Sequence, residues 1–250
     1  MRNRLVKKTN SSSSFDLSIS DLMAALCCIF LLFLAITSIE LTNQKKKYEV
    51  KNGRAGEYIM KQKELKKALD AEFEDDFEKW NAYISDDLTI HFRDINVLFE
   101  PNDDMVRENL KVILDSLFPR LIEIISNDRF RDDILEIRIE GHTATINYDT
   151  IKQVEVSKED SFKRGMLTSH NRTNNVLFYC LENTELKSDK IGNMDAYEWV
   201  RKHMVAISYS DSLPIYKEGT DEEDYIASRR VEIKIRTKAE DAIYEINDLE

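Results

Sequence analysis

An aspartate near the start of an apolar stretch is the residue best placed to do chemistry. The stretch "SISDLMAALCCIFLLFLAIT" carries Asp21 close to its beginning, and Asp16 precedes it. A charged Asp at the centre of a membrane helix costs about 2.5–3.5 kcal/mol on insertion scales, and less near the interface. Asp21 is therefore either an anchor at the membrane edge or a site that carries a proton.

The same stretch predicts a single transmembrane helix. No residue from Leu22 to Ile39 has a formal charge, and at about 1.5 Å per residue this segment covers roughly 27 Å, close to the hydrocarbon thickness of a bilayer. A polar segment separates it from the basic start "MRNRLVKK", and no A-x-A site follows, so we expect an uncleaved signal anchor. Basic residues lie on both sides, so charge alone leaves the orientation open.

The remainder of the chain has the composition of a water-soluble body. The protein has 250 residues, of which 33% are charged, and its net charge of -11 argues against direct nucleic-acid binding. Cys27 and Cys28 lie in the predicted span, which leaves Cys180 alone in the soluble part. We therefore predict no disulfide in that part.

Common catalytic motifs are absent from the sequence. It contains no G-x-S-x-G, no H-E-x-x-H and no G-x-x-x-x-G-K-[ST]. His91, His170 and His203 have neither metal-ligand spacing nor a nucleophile partner. We therefore expect no enzyme activity, no cofactor and no metal site.

A charged segment after the membrane predicts a helical stalk. Its large apolar residues recur in steps of three and four, as on one helix face, and form what we call the apolar stripe: Leu65, Leu69, Phe73, Phe77, Trp80 and Ile84. The stripe could pair with a second copy of the chain, or it could pack on the domain that follows. We expect it to face a second copy if the chain works as a pair.

From residue 87 the pattern predicts an α/β (α+β) domain. Strands at "LTIHF" and "VLFE" precede a helix at "MVRENLKVILDSLFPRLIEIIS" and a strand at "ILEIRIEGH". A helix at "SHNRTNNVLFYCLEN", a third from Asp195, and strands at "VAISYS" and "RRVEIKIRT" follow. This β-α-β-α-β-β order places helices on one face of a mixed sheet. The predicted segments are a tail (1–15), a transmembrane helix (16–42), a stalk (43–86) and this domain (87–250).

The order of these elements and their sequence motifs resemble those of the OmpA-like peptidoglycan-binding domain, which also occurs in flagellar stator B subunits such as MotB. The resemblance runs from about residue 88 to 237, through "IRIEGHT", "SHNRTNNV", "AISYSDSLPI" and "ASRRVEIKI". Independently, "SISDLMAALCCIFLLFLA" is similar to the stator B helix, whose acid is followed by Met and small residues. The whole arrangement most resembles the B subunits of Zorya anti-phage defence systems.

This resemblance implies a function. It predicts a subunit of a proton-driven, MotAB-like motor in the bacterial inner membrane, anchored to peptidoglycan and serving anti-phage defence. The N-terminus would be cytoplasmic and the large domain periplasmic, with a ring of MotA-like A subunits around a pair of B helices. Asp21 would carry the proton, because loss of hydration favours the neutral form of a carboxyl group. A flagellar MotB-type stator and a passive membrane-to-wall tether are the alternatives.

The resemblance also implies a peptide-binding pocket. In the family, an Asp after "GHT" and an Arg in a later "LSxxRA" helix hold the ammonium and carboxylate groups of diaminopimelate. The residues that match pocket positions here are Arg172, Ser169, Asn174, His142, Thr143 and Arg229. Ala144 occupies the Asp position. Asp149 could replace that acid, the ligand could be modified, or binding could be lost, and the sequence leaves these options open.

Overall fold

The computed structural model describes residues 12–92, 105–149, 153–182 and 190–247. The start of the tail and the predicted strand "VLFE" lie outside these residues. The helices are α1 (Ser12–Lys79), α2 (Glu108–Ile125), α3 (Lys158–Glu182), α4 (Ala196–His203), α5 (Tyr225–Ser228) and α6 (Lys238–Asn247). The strands are β1 (Ala82–Ile84), β2 (Thr89–Phe92), β3 (Ile134–His142), β4 (Tyr148–Asp149), β5 (Val154–Glu155), β6 (Lys190–Ile191), β7 (Met194–Asp195), β8 (Met204–Ser210) and β9 (Arg230–Thr237). The chain divides into two compact units, Met1–Gly53 and Arg54–Glu250.

The second unit is built on a five-stranded mixed sheet. Its strand order is β1-β2-β9-β3-β8, in which β3 and β8 are parallel and the other neighbours are antiparallel. Alternation along β3 places Ile137 and Ile139 in the core, while Arg138 and Glu140 belong to the opposite face. The predicted α/β fold, with helices packed against a mixed sheet, is confirmed.

The apolar stripe of α1 belongs to the core of this unit. Leu65, Leu69 and Phe73 are 1%, 0% and 0% exposed, and they cluster with the buried face of α2. Burial of a large apolar side chain contributes roughly 1.5–3 kcal/mol, so these residues stabilise the domain of their own chain. The expectation that the stripe faces a second copy is wrong, because its side chains are already covered within one chain.

Arg120 of α2 fastens α1 to the domain. Its Nε donates to Glu72 Oε1 at 2.7 Å, its Nη1 to Asp76 Oδ2 at 2.6 Å, and its Nη2 to the Glu72 carbonyl oxygen at 2.7 Å. The guanidinium also lies 4.6 Å from the centre of the Phe73 ring. These contacts fix the rotation of α1, so that the apolar stripe faces the core.

Two further ion pairs join α1 to the domain nearer the membrane segment. Lys61 Nζ lies 2.8 Å from Asp133 Oδ2, and Arg129 Nη2 lies 2.7 Å from Glu64 Oε2. Both pairs are partly open to solvent, so each contributes little by itself. Together with Arg120 they place polar contacts along successive turns of one helix.

The segment between β3 and the middle of α3 contains its own secondary structure. It contains the short antiparallel pair β4–β5, and α3 already begins at Lys158. α3 then approaches β3 closely at Gly141, where a Cβ atom would lie 2.6 Å from Thr173 Cγ2 and 2.9 Å from the Ser169 carbonyl oxygen. Only glycine permits this approach, which defines the face of β3 that meets α3.

Candidate functional site

Asp21 lies at the start of a helical segment whose surface is exposed and apolar. Among the described residues, Asp21–Lys47 is the one segment long and apolar enough to cross a membrane, with a mean hydropathy of 2.7. Its large side chains, such as Leu22 and Phe30, are 72% and 59% exposed. An apolar surface of this kind must contact lipid or other helices instead of water, and Asp21 would lie at the edge of that contact. The described part of the chain thus fits a protein that crosses a membrane once.

The pocket residues on α3 lie against the sheet. Ser169 and Arg172 are 0% and 6% exposed, and the Ser169 hydroxyl donates to the Gly165 carbonyl oxygen at 2.8 Å. Asn174 is only partly buried, and its amide lies 2.8 Å from His170 Nε2. A buried guanidinium keeps its charge and requires oxygen partners. The guanidinium of Arg172 is thus held within the fold, and it is the type of group that binds a carboxylate.

The segment after β3 is held by a hydrogen-bond network around the position where the family has its Asp. Thr143 donates its backbone N–H to the Ser210 carbonyl oxygen at 2.7 Å. Ile146 donates its backbone N–H to Ser161 Oγ at 2.9 Å, and that hydroxyl donates to Asp211 Oδ2 at 2.6 Å. Asp211 thus lies in the network that surrounds Ala144, and it is an acid that the sequence analysis missed.

Asp149, the acid that the sequence offered as a replacement, has another partner. Its Oδ2 lies 2.8 Å from Arg164 Nη1, and its side chain is 11% exposed. An ammonium group that bound there would have to compete with the guanidinium. Asp211 could have been found from the sequence, because it directly follows β8, and parallel strands β3 and β8 end at the same edge of the sheet.

His142 and Arg229 lie at a different place from Arg172. His142 follows Gly141, so its ring belongs to the opposite face of the sheet, where it stacks on Tyr209 with the ring centres 4.9 Å apart. Arg229 is exposed, donates to the Tyr225 carbonyl oxygen at 2.8 Å and lines a cavity of about 210 Å³. The six predicted pocket residues therefore do not converge on one point.

Buried ionisable groups occupy the face on which His142 lies. Burial lowers the pKa of His142 and raises the pKa of Glu140. Burial also opposes ionisation of Glu232, but the nearby His142 ring, a hydrogen bond with His91 and the charge of Arg230 outweigh it and hold the pKa of Glu232 well below its usual range. Two neighbouring carboxyl groups thus differ in their preference for a proton.

Comparison with known proteins places the chain among bacterial proteins of similar length. No family model matches it. It is 32% identical to the Zorya protein ZorB of Escherichia coli, over 93% of this chain and 92% of that protein. It is 24% identical to the uncharacterized protein YtxE of Bacillus subtilis, over 94% of this chain and 93% of that protein.

The solved structures that match part of the chain include a putative MotB-like protein and a MotB domain. A putative MotB-like protein from Desulfovibrio vulgaris is 19% identical, with a TM-score of 0.47, over 73% of this chain and 95% of that chain. The periplasmic domain of Helicobacter pylori MotB is 18% identical, with a TM-score of 0.39, over 64% of this chain and 82% of that chain.

Proposed function

Because the chain belongs to the ZorB family, we propose that it is the B subunit of a proton-driven, MotAB-like inner-membrane motor that is anchored to peptidoglycan and serves anti-phage defence. The observation that carries this proposal is the 32% identity to the Zorya protein ZorB over 93% of the chain. An alignment of that extent leaves little of either chain outside it, so the proposal concerns the whole chain.

Asp21 is the proposed proton carrier. A single helix cannot enclose its own carboxyl group and separate it from lipid and water, so other helices must do so. We assign that role to a ring of MotA-like A subunits (ZorA) around a pair of B helices. In this arrangement the N-terminus is cytoplasmic and the sheet domain is periplasmic. Since the apolar stripe is buried within one chain, the pair must meet through other surfaces.

The proton-carrying role is tested by two matched substitutions in the complete defence operon. Asp21→Asn removes the titrating group with little change in size, and we expect normal membrane insertion but no protection in a phage plaque assay. Asp16→Asn makes the same change one and a half turns earlier, and protection should remain. Protection that survives Asp21→Asn would exclude an obligatory proton site at this position.

Arg172 is the proposed contact to the wall peptide. Full-length protein in detergent should sediment with isolated peptidoglycan, and Arg172→Ala should weaken binding by about 2–5 kcal/mol if a buried charged pair is lost. Arg201→Ala is the control, because that arginine is 56% exposed on α4 and pairs with Glu198. The full chain is required, since a fragment from residue 88 would lack Leu65, Leu69 and Phe73 of the core.

The passive tether makes a different prediction for assembly. A motor subunit should co-purify in detergent with the multi-span product of a neighbouring gene, at a mass that includes two copies of this chain. A lone chain that binds peptidoglycan but recruits no such partner would favour the tether. Wild-type protein that fails to sediment with peptidoglycan would instead show that Ala144 marks a lost binding site.

A further inference from the structure

Three buried side chains come together on the face of the sheet opposite α3. Glu140 and His142 belong to β3, and Glu232 belongs to β9, directly opposite Glu140 in the antiparallel register. They are 7%, 2% and 7% exposed, and one ligand atom from each lies within 4.8 Å of the others. Residues of this kind are rarely enclosed unless they are paired or bind a cation.

His142 lacks the hydrogen bonds that a buried imidazole requires. Both ring nitrogens are shielded from solvent, and neither has a hydrogen-bond partner. The nearest acid is Glu232, whose Oε2 lies 3.5 Å from Nε2, too far for a normal hydrogen bond. An unsatisfied buried polar group costs about 1–3 kcal/mol, so this arrangement needs a partner.

The 3.5 Å separation suits two ligands of one metal ion. Zinc binds His nitrogen and carboxylate oxygen at about 2.0–2.2 Å, and in a tetrahedral site this places neighbouring ligand atoms roughly 3.3–3.5 Å apart. Imidazole nitrogen together with carboxylate oxygen suits Zn²⁺ and its transition-metal neighbours, whereas Ca²⁺ and Mg²⁺ take oxygen ligands. The atom types and the His142–Glu232 spacing therefore agree, and Glu140, whose ligand atom lies within 4.8 Å of the other two, would move closer as the ion binds.

Neighbouring groups orient Glu232 for this role. Its Oε1 lies 2.8 Å from His91 Nδ1 and accepts from Arg230 Nε at 2.7 Å, which leaves Oε2 on the side of His142. His91 is held in turn by Ser85 Oγ, 3.0 Å from its Nε2. Supporting hydrogen bonds of this type fix ligand carboxylates in metalloproteins.

Glu140 has room for a cation of its own. Lys234 and Arg138 are positive groups near Glu140, but Arg138 Nη1 lies 3.8 Å from Glu140 Oε1, while its Nε lies only 2.7 Å from Glu136. Glu232 and His91 also line the cavity of about 210 Å³, so the Glu232 side of the cluster is the side from which an ion would enter. From this geometry we infer that Glu140, His142 and Glu232 bind one divalent transition-metal ion of the Zn²⁺ class, with an open position for water.

The inference is tested on full-length protein purified in detergent with an affinity tag that contains no histidine. The parent carries Cys27→Ser and Cys28→Ser, so that thiols of the apolar helix cannot bind the ion. After chelation and dialysis, calorimetric titration with Zn²⁺ alone should give one site per chain. Co²⁺ should bind at the same site with the visible spectrum of a nitrogen- and oxygen-ligated tetrahedral ion.

Three variants separate this site from adventitious binding. His142→Gln and Glu140→Gln should each weaken Zn²⁺ binding at least about tenfold. His170→Gln removes an exposed histidine on α3 and should leave binding unchanged. A parent that binds no Zn²⁺, or binding that survives both ligand substitutions, would overturn the inference. If His142→Gln does not fold, the parent titration and Glu140→Gln still decide it.

Discussion

The substitution Phe73→Ala tests whether the part of α1 that follows the apolar segment belongs to the core of the domain. Phe73 is 0% exposed, and its ring centre lies 5.6 Å from that of Phe77 and 6.2 Å from that of Trp80. Truncation of a buried Phe costs about 3–5 kcal/mol. We expect the upper half of this range, because the Arg120 guanidinium also loses the ring it covers at 4.6 Å.

The assay is urea unfolding of the full-length protein in detergent, followed by tryptophan fluorescence at two protein concentrations. Met60→Ala is the control, since Met60 lies on the same helix but is 66% exposed, and it should change the free energy of unfolding by less than about 0.5 kcal/mol. A loss below about 1 kcal/mol for Phe73→Ala would refute the core assignment. So would a loss that appears only at low protein concentration, because that is the signature of an interface between copies.

Three further predictions concern a close backbone contact, an ion pair and a buried thiol. Gly141→Ala should lower the free energy of unfolding by about 1–3 kcal/mol, because the new Cβ would press on α3. Gly53→Ala is the control: its new Cβ has no atom within 4 Å, so it should stabilise α1 by up to about 1 kcal/mol. Thermal melts of both variants check this. Hydrogen bonding from Arg120 outweighs burial and lowers the pKa of Asp76, so its contribution to stability is complete above the unfolded pKa and is lost as the pH falls through the folded pKa. Urea unfolding of Asp76→Asn should therefore show lower stability at pH 7 and a shallower decline below about pH 4, and an unchanged decline would contradict the ion pair. Burial raises the pKa of the Cys180 thiol, so in a variant with Cys180 as its only cysteine, maleimide should react after unfolding but not before.

The elements of the fold were predictable because their hydrophobic periods are strong. β3 was expected at "ILEIRIEGH" and occurs at Ile134–His142, and the helix expected around "MVRENLKVILDSLFPRLIEIIS" occurs at Glu108–Ile125. The surface against which the apolar stripe packs was not predictable. A helix face that packs on its own domain has the same spacing of apolar residues as one that packs on a second copy. Only the positions of the other core residues decide between these two cases.

The candidate sites were predictable to a smaller degree. The assignments of Asp21 and Arg172 came from short motifs, and they remain predictions. The cluster of Glu140, His142 and Glu232 could not be read from spacing, because Glu232 is about ninety positions further along the chain and meets β3 only through strand pairing. The strand pattern itself contained a signal, since "ILEIRIEGH" and "RRVEIKIRT" both place charged residues on the face that does not join the core.

The polar contacts between α1 and the domain bear on how the protein would carry a mechanical load. Lys61, Glu64 and Asp76 each bind a partner outside the helix, and at about 1.5 Å per residue these points span roughly 22 Å of α1. A force directed along the helix axis would load them in shear, so that several contacts and the buried stripe must yield together. A force directed across the axis would peel them one after another. The contacts of Lys61, Glu64 and Asp76 should therefore withstand a pull along this part of α1 better than a pull across it.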